Sequence, residues 1–125
     1  MKDYAYDFST AEEARKRGAF QIAGRMAGHL ALDIFNNATN TCTDSRCKHK
    51  PKCSKSKVEN SKCRVQCALA AEKFFWAGEV LEEGEHFDEA FVAYSNAESV
   101  YPLEGSEDEL NKYKSAMERL REYSV

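Results

Sequence analysis

All five cysteines of this 125-residue chain lie between Cys42 and Cys67, spaced C-x4-C-x5-C-x9-C-x3-C. A tetrahedral zinc ion takes four thiolate or imidazole ligands, and such sites often order a stretch of chain too polar to bury itself. Cys63 and Cys67 stand one helical turn apart, so on a helix both thiols face the same way. A place near a helix N-terminus would also favour the thiolate form. Cys47 and Cys53 are the residues expected to close the site, with Cys42 or His49 as substitutes. The run holds no C-x2-C knuckle, and other uses of the thiols stay open. An iron–sulfur cluster would also use four cysteines and ranks below zinc. Cys63 and Cys67 lie on an apolar stripe, where free cysteine is a common buried residue. Disulfides would need an oxidising compartment, and five cysteines leave one over. Thiols that pair reversibly would instead make the segment a redox switch.

The same segment is strongly basic. From Arg46 to Arg64 there are eight Lys or Arg and one acid, Glu59, for a local charge of +7; the rest of the chain carries −10, so the formal total is −3. Lys48, Lys50, Lys52, Lys55 and Lys57 could act as point charges on phosphates, which makes a nucleic-acid-binding accessory role the alternative reading. No aromatic residue is interleaved for base stacking, which argues against single-strand base readout. A basic loop also fits a fold-back onto the acidic remainder of the same chain. Cys47 and His49 are two residues apart in an irregular stretch, which gives no oriented base for a nucleophile. His29 reads as a packed or surface residue, His86 as a turn residue, and Glu79, Glu82, Glu83 and Glu85 as a solvated helix end. There is no P-loop, G-x-S-x-G, H-E-x-x-H or Gly-rich dinucleotide turn, so no enzymatic activity is expected.

The elements that must position these residues read as helices. Two prolines and six glycines, against many Ala, Glu, Lys and Leu, point to an all-α chain, and its length points to a single domain, residues 1–125. Thr10 with Glu13, or Ser9 with Glu12, has the form of a capping box opening the first helix. Its apolar stripe runs through Ala19, Ile22, Ala23, Met26, Ala27, Leu30, Ala31, Ile34, Phe35 and Ala38, with small residues every four positions that would admit a close neighbour. The helix is expected to fade at Asn36–Asn37. Residues 39–61 show neither helical nor strand period and form a long Cys/Lys-rich loop, a length that calls for some other device to hold it. A second helix, about Lys62 to Glu83, carries two stripes: Cys63, Cys67, Ala70, Ala71, Phe74, Ala77, Gly78 and Leu81, and on another side Val65, Leu69, Trp76 and Val80. A helix apolar on two faces belongs in the middle of a fold. A third helix spans about His86 to Tyr101 before Pro102, and Ser106 with Glu109 opens a capping helix over 106–122. The expected architecture is a four-helix array of antiparallel hairpins. No apolar run approaches the length of a membrane span, and MKDYAYDFST lacks a basic stretch followed by an apolar one. The cytoplasm is the expected compartment.

Within residues 71–104, Phe74, Ala77–Gly78, Leu81, Phe87, Ala90, Tyr94, Ala97 and Pro102 stand at the spacings of one tetratricopeptide repeat, which this stretch resembles. Gly84 sits one place before the usual turn glycine, and Phe replaces Trp at the opening position. Only one copy is evident, so the resemblance implies a single helix–turn–helix unit covered by the first and last helices. It also implies protein–protein recognition through a groove lined by the first helix of each hairpin, without catalysis. The resulting expectation is a protein-interaction or scaffold module with a structural zinc site, with a protein partner and scope for self-association through a remaining apolar face.

Overall fold

A computed structural model describes residues 4–41, 58–101 and 107–122, and all of its elements are helices: α1 Tyr4–Lys16, α2 Phe20–Thr41, α3 Val58–Glu83, α4 Phe87–Val100 and α5 Glu107–Arg121. The all-α expectation holds. The count differs, because the segment expected to be one helix from residue 10 onward is two. Ser9, Thr10 and Glu13 lie inside α1 rather than at its start. The true boundary is at Gly18, whose φ of +81° places it in the left-handed region that glycine alone enters without strain. Its N–H donates to the Arg15 carbonyl and the Ala19 N–H to the Ala14 carbonyl, the two bonds that close a Schellman turn. Basic residues Arg15 and Lys16 fill the last turn before it, where the helix dipole favours them.

A second turn of the same kind closes α3. The Glu85 N–H donates to the Glu82 carbonyl and the His86 N–H to the Leu81 carbonyl. Here Glu85, at φ +64°, occupies the left-handed position. Gly84 serves a different need. A Cβ at Gly84 would come 2.6 Å from the Cβ of Phe20, so the glycine lets the start of α2 lie against the end of α3. α2 continues to Thr41, past the Asn pair where it was expected to fade, and α3 begins at Val58. Pro102 and Ser106, read as a helix stop and a cap, lie outside the described residues.

α3 occupies the centre. The stripe Cys67, Ala70, Ala71, Phe74, Ala77 and Leu81 is buried, as expected, and on the second side Val80 is buried, Leu69 and Trp76 are half-buried and Val65 is exposed. α2 and α4 both run against it. Gly24 of α2 and Ala90 of α4 meet Leu81, whereas further along each helix Leu30 and Ala97 share a cluster with Ala70, Ala71 and Phe74. α2 and α4 therefore point the same way. The approaches are close because side chains are missing where they would collide. A Cβ at Gly78 would fall 2.5 Å from Cε1 of the fully buried Tyr94, and one at Gly24 would enter the Leu81 side chain. α1 packs chiefly on α2 and reaches one flank of α3, with Phe8 edge-on to Trp76 at 4.8 Å. α5 lies on the other, with Tyr113 5.3 Å from Phe75 and 5.6 Å from Tyr101. No described helix is long and apolar enough to cross a membrane.

Candidate functional site

The first helices of the successive pairs, α1 and α3, and the final helix α5 make one face, and it is closed by its own contacts. The Lys73 ammonium sits 3.8 Å from the centre of the Phe8 ring, Lys112 sits 4.5 Å from that of Phe75, and the Arg15 guanidinium lies 5.8 Å from that of Trp76. Arg15 also pairs with Glu83 at 3.0 Å. Each of these rings already has a cation from the same chain, the arrangement that ring quadrupoles favour.

The opposite side is open. Between α2 and α4 runs a groove of about 330 Å³ whose floor is Phe74, Ala77 and Leu81 of α3. Gly24, Arg25 and Gly28 form its α2 wall, and Asp88, Glu89, Val92, Ala93 and Asn96 its α4 wall. A second hollow of about 240 Å³ shares Arg25, Gly28, Phe74 and Asn96 with it and extends it to His29 and Leu32. The volume reaches the lower end of the range in which ligand pockets fall. Gly28 faces a space in which an added Cβ would meet nothing within 4 Å.

One polar clamp sets the register of the two walls. Arg25 donates from Nε and Nη2 to the two carboxylate oxygens of Glu89, at 3.1 and 3.0 Å, and Gln21 donates to Glu89 Oε1 at 2.7 Å. The hydrogen bond from Arg25, joined by that from Gln21, holds the Glu89 carboxyl below its ordinary range, and the same contact raises Arg25 further. Both groups are well exposed, so the pair adds little to stability; its effect is alignment. With Arg25 level with Glu89 and the helices parallel, the residues three further on, Gly28 and Val92, are level too. Val92, 57% exposed, and Leu32, 46% exposed, stand as apolar side chains on either rim.

Of the predicted metal ligands, Cys67 is buried on the inner face of α3, and Cys63 lies one turn before it on the same helix. α3 starts at Val58, so position 63 lies beyond its first turn rather than at the helix start. Cys42, Cys47, Cys53 and His49 lie outside the described residues, as do Lys48, Lys50, Lys52, Lys55 and Lys57. Among the described residues, no three His, Cys, Asp or Glu side chains gather as a metal site would require. The sequence marked the groove's floor residues, Phe74, Ala77 and Leu81, only as core positions, and its walls were not singled out. Gly24 and Gly28, four apart on one helix, are the signal that pointed to them, but spacing alone does not say that one is met by Leu81 and the other by nothing. No family model, no curated protein and no solved structure matches the chain.

Proposed function

We propose that the protein is a non-enzymatic interaction module built around one tetratricopeptide-like helical hairpin, residues 71–104, and that it holds a protein partner in the groove between α2 and α4. The observation that carries this reading is a concave, mostly apolar groove beside Gly28, where no side chain fills the space, with the exposed Val92 and Leu32 on its rims and the buried Phe74, Ala77 and Leu81 beneath. From Gly24 to Leu32 the groove is about 12 Å long, the rise of two helical turns. A partner helix offering two apolar side chains one turn apart fits that length and satisfies its own backbone hydrogen bonds. Asp88 at one end and Asn96 with His29 at the other supply a polar rim. The groove is lined by the second helices of the pairs rather than the first, so the mode of recognition departs from the one the repeat resemblance implies. The proposal includes a structural zinc ion on Cys47, Cys53, Cys63 and Cys67, supported by the one-turn spacing of the last two on α3 and the inward position of Cys67.

A library of helical peptides displayed on phage, selected on the protein and counter-selected on Gly28→Trp, tests the groove. A Cβ at Gly28 meets nothing within 4 Å and the replacement improves helix propensity, and helical circular dichroism checks that the variant keeps its fold. Enriched peptides should carry apolar residues at i and i+4 and bind the plugged variant at least about tenfold more weakly, a loss of about 1.4 kcal/mol. Enrichment of nothing, or of peptides indifferent to the plug, overturns the reading.

A further inference from the structure

The walls of the groove complement one another as well as a partner. One wall presents a gap at Gly28 and a cation at Arg25; the other presents a knob at Val92 and carboxylates at Asp88 and Glu89. These features are level in pairs, because the Arg25–Glu89 bonds fix the register and α2 and α4 run in the same direction. A two-fold axis lying along the groove exchanges the two walls without shifting them lengthwise. It lays α2 of one copy over α4 of the other, sets each Val92 above the opposite Gly28, and brings each Asp88 to the opposite Arg25. Arg25 is 61% exposed despite its bond to Glu89, so it has donors left for that contact.

Resting on the groove described above, we propose that a second copy of this chain covers it when no other partner is present, wall on wall, forming a symmetric dimer through α2 and α4. The contact is small. Two helices side by side over the length of α4 present a face on the order of 500 Å² per copy, about 1,000 Å² in all, the lower edge of specific interfaces. The dimer is accordingly weak and exchangeable, with a dissociation constant on the order of 10 µM, and a better-fitting helix would displace it. Self-complementary association of this kind closes on itself and makes no fibres.

Sedimentation velocity from 1 to about 300 µM, in reductant so that no thiol cross-link contributes, reads the association directly. The 14.2 kDa chain should shift to twice that mass across this range. Val92→Asp, at an exposed position, should weaken the dimer at least about tenfold while leaving the helical circular dichroism unchanged. Val65→Asp, at an apolar position equally exposed but off the groove, should leave association unaltered. A chain that stays monomeric throughout overturns the dimer, while peptide binding to the groove, measured separately, is untouched by that result. A dimer that survives Val92→Asp, or is lost in Val65→Asp, overturns it as well.

Discussion

Glu85 carries a cost that the chain has not removed. Its φ of +64° puts Cβ close to the following carbonyl, a strain of roughly 1–2 kcal/mol for a residue other than glycine. Glycine relieves that strain but loses more freedom on folding, so Glu85→Gly should stabilise the protein by about 1 kcal/mol and raise the melting temperature by roughly 3–5 °C. Glu85→Ala keeps the Cβ and should melt near the wild type. Equal melting of the two variants would show that the turn is not strained. The sequence resemblance marked Gly84 as a turn glycine one place early, and the geometry gives the reason. A glycine is needed at 84 to let Phe20 approach, and the left-handed position at 85 is left to a glutamate. Spacing alone did not separate these two uses of glycine. It did identify Gly78, Ala90, Tyr94 and Ala97 as core positions, because their burial follows from helical period and size alone.

At the scale of elements, α5 is docked by the buried Tyr113, Ala116, Met117 and Leu120, and one charged knot at its end makes that docking sensitive to pH. The Tyr94 hydroxyl donates to Glu82 Oε1 at 2.8 Å, and Arg119 of α5 reaches the same carboxylate through Nε at 2.8 Å and Nη2 at 2.6 Å. The Arg119 bonds, helped by Tyr94 and opposed by partial burial, hold the Glu82 carboxyl below its ordinary value of 4.5. A carboxylate depressed in the folded state contributes fully above its unfolded pKa and loses that contribution as the pH falls through the folded one. Amide-exchange protection of α5 should therefore drop as the pH falls below the ordinary carboxylate value, and Arg119→Gln should lower it at neutral pH and flatten the acid dependence. Arg119 is half exposed, so the loss at neutral pH should not exceed about 1 kcal/mol. An unchanged pH profile in Arg119→Gln would move the acid sensitivity elsewhere. In alkali the opposite holds for Tyr94, whose hydroxyl is pushed up by burial and by Glu82, so docking weakens as the pH rises beyond the ordinary phenol range. The helices themselves were legible, α3 and α4 most of all, since their apolar positions repeat every three or four residues. The break between α1 and α2 was missed because Ser9 and Thr10 imitate a cap, while Gly18 after Arg15–Lys16–Arg17 carried the better stop signal. The groove was not legible, since it depends on how far α2 stands from α4, sixty-odd residues away, and periodicity carries no sideways distance.

At the scale of the molecule, the +7 segment joins two helical groups within a chain that is otherwise −10. The apolar clusters that join α1 through α5 contain none of the expected ligands except that Cys67 is buried beside them, so the helical body should not need the metal to exist. Protein purified without added metal should contain about one zinc per chain, and chelation should lower the melting temperature while leaving most of the helical circular dichroism. Metal-free protein that melts at the same temperature would remove the zinc site. The two walls of the groove have a last consequence. One belongs to the residues before the basic segment and the other to those after it, so neither half of the chain possesses the site alone. Whatever sits between Gly28 and Val92 acts as a bolt through two plates: it must loosen before the halves part, and each tenfold excess over its dissociation constant tightens the joint by about 1.4 kcal/mol.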